Sequence, residues 1–217
     1  MENAILNEEN DVSARIAQRT LARRGADYAT EIRRLLDAAL ELMRQAGTAS
    51  RPRVADIVAA AGLSNDAFYR HFRSKEALIA ALLEDGTERL ARYVAHQMGK
   101  EQTPEGKVRR WVEGILAQTR AETAATTLAV LWNGGSIGES FAFSRHAASA
   151  PLGALLHEPF AHLGSADPAM EASLAAHATV GKMSEHLWLR STPGPAEVER
   201  ITEFCLRVIA PRAGGLS

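Results

Sequence analysis

The chain has 217 residues, of which 46% are hydrophobic and 24% charged, and its formal net charge is −1. That is enough apolar content for a real core, while the overall charge points to neither nucleic acid nor membrane as a partner. The single cysteine, Cys205, excludes an intrachain disulfide and fits a reducing compartment.

Charge is unevenly spread. Residues 1 to 11 carry four acids and no bases, residues 12 to 75 twelve bases and six acids, and residues 76 to 217 thirteen bases and sixteen acids, giving −4, +6 and −3. A basic N-terminal third before an acidic remainder is the asymmetry expected when one part touches a polyanion. The start "MENAILNEENDV" lacks the basic and apolar regions of a signal peptide, and no run approaches the ~20 apolar residues that span a bilayer, so a cytoplasmic chain without a membrane partner is expected.

Helical periodicity dominates from residue 28 onward. Before it, "SARIAQRTLARRGADY" carries Arg15, Arg19, Arg23 and Arg24, which suit either an arm reaching DNA or an extension of the first helix. Ile32, Leu35, Leu36, Ala39, Leu40 and Met43 then form one apolar stripe that stops at Gly47, a first helix over 28–46. Val54, Ile57, Val58 and Ala61 fit a second, short helix ended by Gly62, and Ser64 is placed to cap a third. The stripe from Leu78 to Val94 predicts a long fourth helix from Ser74 to about residue 99, interrupted at Gly86. Pro104 opens a helix to about residue 122, followed by the short buried segment "AATTLAVLWNGG" and a less regular helical region over 136–164. Asp167 caps a helix through "PAMEASLAAHATVGKMSEHLWLR", and a last helix covers 196–210. The reading is all-α, with about nine helices and no alternating strand signal.

Two short helices joined through "AGLS" and packed on a longer first helix make a helix-turn-helix. Stepping residues 65 to 73 at ~100° puts Phe68 and Phe72 together with Asn65 beside them, facing the core, and places Asp66, Ala67 and Arg70 opposite. Tyr69 and Arg73 fall on one flank, His71 on the other. That division suits a recognition helix. Arg70 can donate two hydrogen bonds to a guanine edge, Ala67 can approach a thymine methyl, and Tyr69 and His71 can donate to phosphates. Lys75, a cation in the first turn of a helix, opposes the macrodipole and makes better sense with a phosphate docked there.

With those residues in view, "VADIVAAAGLSNDAFYRHFRSKEAL", residues 54 to 78, resembles the DNA-binding signature of TetR-family transcriptional regulators. The resemblance implies an N-terminal three-helix helix-turn-helix domain over 27–74 behind an extension at 1–26, and a C-terminal helical ligand-binding and dimerisation domain over 75–211. It implies a ligand-responsive DNA-binding regulator, a repressor released from a pseudo-palindromic operator by a small-molecule effector, acting as a homodimer without cofactor. Tyr69 and Lys75 occupy the family's phosphate-contact positions and Ser64 its cap. The expected DNA-binding set is Arg51, Arg53, Ser64, Asn65, Asp66, Ala67, Tyr69, Arg70, His71 and Lys75. Arg53 stands where the family often has threonine, and Asp66 where it often has glycine.

Other patterns point elsewhere. "GGSIG", residues 134 to 138, satisfies the G-x-S-x-G nucleophile elbow with Ser136 as nucleophile, giving the alternative of a serine hydrolase, but the elbow needs a strand before it. A dimeric helical interaction module without DNA binding is the other alternative. The histidines show no i, i+4 pair, so no metal is expected. Trp111, Trp132, Phe141, His146, Phe160 and Met183 are the candidate walls and anchors of an effector pocket. Leu174, Ala178, Gly181 and Trp188, with Val198, Ile201, Cys205 and Val208 on the last helix, are the candidate dimer interface, or else pack within one chain.

Overall fold

The computed structural model describes residues 2–134 and 149–209. Among them the regular elements are all helical and none is a β-strand, as the periodicity requires. They include, in chain order, α1 (Glu2–Ala46), α2 (Val54–Ala61), α3 (Asn65–His71), α4 (Lys75–Met98), α5 (Pro104–Leu116), α6 (Ala121–Gly134), α7 (His157–His162), α8 (Pro168–Leu189) and α9 (Pro195–Arg207). They divide into two compact units, residues 1–42 with 52–74 and residues 43–51 with 75–217.

The first unit is built on α1, α2 and α3. Its buried side chains are Leu35, Leu36 and Ala39 on α1, Ile57, Val58 and Ala61 on α2, Ala67 and Phe68 on α3, and Phe72 just beyond it. The turn between α2 and α3 follows from its residues. Gly62 adopts φ 62°, and its N–H and that of Leu63 donate to the carbonyls of Ala59 and Val58 at 3.1 and 2.9 Å, closing α2 with paired backbone bonds. The left-handed φ favours glycine there, and a Cβ would displace the Arg34 guanidinium, whose Nη2 it would meet at 2.8 Å. The same Arg34 donates to the Gly62 carbonyl at 3.3 Å. Ser64 Oγ then accepts from the Ala67 N–H at 3.1 Å and starts α3.

The second unit is a helical layer packed around Val94, Val108, Trp111, Val112, Ile115, Leu156 and Phe160, with Ala172, Ala175 and Cys205 from the last two helices. Gly114 lets α4 and α5 approach so closely that a Cβ would lie 2.9 Å from Val94 Cγ2. The Trp111 indole donates to the Leu152 carbonyl at 2.8 Å. Charged pairs bind helix to helix: Arg109 to Glu199 between α5 and α9, with Nη2 to Oε1 at 2.8 Å, and Lys107 to Glu158 at 3.1 Å. His186 on α8 bonds Ser191 through Nδ1 at 2.8 Å and Glu197 of α9 through Nε2 at 3.1 Å.

Three boundaries differ from expectation. α1 starts well upstream of residue 28, so the arginine-bearing stretch is an extension of that helix. α4 runs through Gly86 without interruption, because one interior glycine costs only about 1 kcal/mol and cannot break a helix buried at Leu78, Ile79, Leu82, Val94 and Met98. The expected helix over 104–122 stops at Leu116, passes through a 3₁₀ turn at Ala117–Thr119, and restarts as α6. At that break the Thr119 hydroxyl donates to the Leu116 carbonyl at 2.7 Å, competing with the helical backbone bonds, and the backbone of Arg120 is extended at φ −69°, ψ 147°.

Candidate nucleic-acid interface

α3 presents a sorted surface, turned from the one the sequence suggested. Its buried arc holds Ala67, Phe68, Phe72 and the His71 side chain, while Asn65, Asp66, Tyr69 and Arg70 are exposed. Relative to a sector centred on the phenylalanines, the inward direction has turned by roughly half of the ~100° helical step. Two expected contacts are therefore corrected. Ala67 is only 3% exposed and cannot reach a thymine methyl. His71 is not a phosphate donor on the flank: its side chain is 5% exposed and its Nε2 lies 2.7 Å from Glu31 Oε2 on α1. Asn65, expected beside the phenylalanines, instead joins the exposed face.

Four side chains remain on the face that α3 offers. Asn65 and Arg70 are the planar, multi-donor types that read adenine and guanine edges, and Tyr69 offers a hydroxyl at the margin, 58% exposed. Asp66 lies in the first helical turn, where a carboxylate is favoured by the macrodipole. Arg70 is held by α1: its guanidinium lies 5.8 Å over the Tyr28 ring and its Nη2 is 3.6 Å from Glu31 Oε2. Glu31 is kept below the usual carboxylate range by the His71 hydrogen bond first, with Arg70 and Arg34 adding to it. Tyr28 and Glu31 were absent from the sequence-derived set. Their signal was there, since 28, 31 and 35 continue the inward spacing of α1 toward the N-terminus.

The remaining expected contacts are placed as follows. Ser64 serves as the α3 cap. Arg53 is exposed, yet tied to α2: Asp56 Oδ2 accepts from its backbone N–H at 3.0 Å and from Nε at 3.3 Å. The pair lowers the Asp56 carboxyl and raises the guanidinium. Arg51 and Lys75 belong to the second unit. Arg51 is exposed and stacks 5.3 Å over the Trp132 ring. Lys75, first residue of α4, is lowered by burial and then by the nearby charge of Arg51, against a smaller opposing pull from Glu76 in the same turn.

In the second unit, Trp111, Phe160 and Met183 are buried in the core, and the Trp111 N–H is already used. All three belong to the buried core of this unit. Trp132 is half-buried, edge-on to Trp188 at 6.2 Å, with its indole nitrogen buried and unpartnered. Phe141 and His146 lie outside the described residues. Leu174 and Trp188 are exposed at 51% and 48%, and Ala178 and Gly181 are partly exposed between them. Val198, Ile201 and Val208 pack against the core of their own chain, and Cys205 is fully buried with Sγ 3.6 Å from Thr179 Oγ1. Cys205 is thus corrected from interface to core. Burial raises its thiol.

Ser136 also lies outside the described residues, but the segment before it is α6, a helix where the nucleophile elbow needs a strand. Among the described residues, no three His, Cys, Asp or Glu side chains are grouped to hold a metal ion, and no helix is long and apolar enough to cross a membrane.

Residues 35–82 match the family model described as bacterial regulatory proteins, tetR family. No curated protein matches the chain in sequence. Solved structures with the same fold include a TetR-family transcriptional regulator from Mesorhizobium loti MAFF303099, with 17% identity, TM-score 0.62, and coverage of 84% of this chain and 96% of that one. NemR from E. coli in its reduced form has 18% identity and TM-score 0.59 over 84% of this chain and 99% of its own. RolR in complex with resorcinol has 15% identity and TM-score 0.63 over 87% and 92%.

Proposed function

We propose that this chain, whose residues 35–82 match the model of the tetR family of bacterial regulatory proteins, is a member of that family: a ligand-responsive, DNA-binding transcriptional repressor that works as a homodimer in the cytoplasm and catalyses no reaction. The observation that carries this reading is the exposed face of a short, capped α3: Asn65 and Arg70 for base edges, Tyr69 for phosphate, and Phe68 and Phe72 anchoring the helix from behind. Asp66 reads a cytosine amino group, the one base edge that suits a carboxylate in the major groove. Lys75 and Arg51 neutralise phosphates, as the burial and crowding of Lys75 by a second cation favour.

A second copy seats on α8, where Met170, Leu174 and Trp188 are exposed, together with Phe204 on α9. Paired copies set two α3 helices about 34 to 36 Å apart, so the operator is a pseudo-palindrome read in successive major grooves. A small molecule held by the second unit releases the operator by favouring another spacing; only unequal affinity for the two states moves the equilibrium. RolR, which shares the fold, binds resorcinol, and this supports a small-molecule site of that kind here.

Selection of bound sequences from random duplex DNA at low salt tests the reading. An inverted repeat with half-sites one helical turn apart is the expected result. Absence of enrichment, with a folded dimer present, leaves only a helical interaction module and refutes the regulator.

A further inference from the structure

The DNA-binding reading leaves Arg70 as the cation on the exposed face of α3, and a long guanidinium side chain reads a base well only if it is held in place before contact. The neighbours of Arg70 on α1 form such a holder. Its guanidinium lies 5.8 Å over the Tyr28 ring, and the ring edge of Tyr28 meets His71 at 5.4 Å. Glu31 Oε2 sits 3.6 Å from Arg70 Nη2 and 2.7 Å from His71 Nε2. All four residues belong to one compact unit.

We propose that Tyr28 and Glu31 are positioning residues for Arg70, the ring face supporting its guanidinium and the carboxylate drawing it without consuming its donors. The reason lies in the two Glu31 distances. At 3.6 Å the carboxylate attracts Arg70 from beyond hydrogen-bond distance, while His71 holds the same oxygen at 2.7 Å. A carboxylate bonded to Arg70 would compete with a guanine edge for the same N–H groups; this one leaves them available. An ionised carboxylate only accepts, so the His71 nitrogen facing it carries the proton, and His71 fixes Glu31 while itself buried. The negative charge is matched locally by Arg70 and Arg34, which is how an acid is tolerated beside a polyanion. Both positioning residues lie on α1, upstream of the matched residues 35–82.

The proposal rests on the DNA-binding reading, and the test separates the two. The base-preference profile of the full chain is measured by selection from random duplex for wild type, Arg70→Ala, Tyr28→Ala, Tyr28→Phe and Glu31→Gln, with unfolding curves and affinity for an unselected duplex alongside. Arg70→Ala is expected to relax one base pair. Tyr28→Ala and Glu31→Gln are expected to relax that same base pair on the order of tenfold, leaving other positions at wild-type preference and unselected-duplex affinity no lower than wild type, raised for Glu31→Gln by the lost negative charge. Tyr28→Phe keeps the ring face and should keep the profile, and Glu31→Gln keeps an acceptor for His71 and hence the fold. If Tyr28→Ala and Glu31→Gln retain wild-type preference at the Arg70 base pair, or lose preference evenly along the site, the positioning role is overturned while the regulator stands. A profile unchanged in Arg70→Ala also overturns it, by removing the contact to be positioned. Wild type that enriches no sequence overturns the DNA-binding reading and the positioning role together.

Discussion

Arg70 and Lys75 are both cations assigned to DNA, yet their loss should read out differently. Arg70→Ala should cost about 1 to 3 kcal/mol on the selected operator and relax one base pair, because it removes a paired base contact. Lys75→Gln should weaken every duplex alike and flatten the salt dependence by about one unit, as expected for one phosphate contact. The free protein should respond in the opposite sense. Burial and Arg51 disfavour the charged ammonium in the fold, so Lys75→Gln should raise the unfolding midpoint while lowering affinity. A parallel fall in stability and affinity would argue that Lys75 is structural. Ala67 gives a further contrast. At 3% exposure it has no room, so Ala67→Leu should destabilise by about 1 to 3 kcal/mol through overpacking, without shifting base preference in the folded fraction.

At the scale of elements, the helix-turn-helix was legible because its signals are local. The Gly62 turn, the Ser64 cap and the Phe68–Phe72 pair each act within a few residues, and all appear as the sequence implied. Gly62→Ala should destabilise the first unit by about 1 kcal/mol or more through its left-handed φ, and Ser64→Ala by about 1 kcal/mol through loss of the Ala67 N–H bond. Denaturant unfolding measures both; wild-type midpoints would show that the turn is not held by these residues. What was not legible was which side of α3 faces in. Helical stepping gives relative angles, whereas the absolute rotation is decided by the partner helix, and Glu31 on α1 draws His71 inward at 2.7 Å. The same limit applied to α9. An apolar stripe marks a buried side but does not say whether another helix of the same chain or a second copy covers it; Cys205 is covered from within, while Val198 and Ile201 pack against the core and stay partly exposed.

Over the whole molecule, helix-to-helix charge pairs tie stability to pH. Glu31, Glu197 and Glu199 are all held below the usual carboxylate range, by His71, His186 and Arg109 respectively. A carboxyl depressed in the fold contributes stability that is present above its unfolded value and lost as pH falls through its folded value. The unfolding midpoint should therefore hold from neutrality down to about pH 5 and drop below it, with Glu199→Gln both lowering the plateau and shallowing the drop. A midpoint flat to about pH 3 would show that these pairs contribute nothing. The α8 surface carries the other whole-molecule prediction. Leu174→Arg places a charge on an exposed apolar face, so it should yield monomers by sedimentation and lose operator binding while the monomer stays folded.

By itself the sequence determined the helical class, the order of the N-terminal helices, the turn that joins α2 to α3 and the side chains that cap them, because each depends on periodicity or on residues a few positions apart. Tertiary structure alone decided which residues of α3 face outward, that Cys205 fills a core, and that Tyr28 and Glu31 stand beside Arg70. Those facts join residues 26 to 42 positions apart, from Thr179 and Cys205 to Tyr28 and Arg70, and such contacts are set by how helices pack against one another, which no local period encodes.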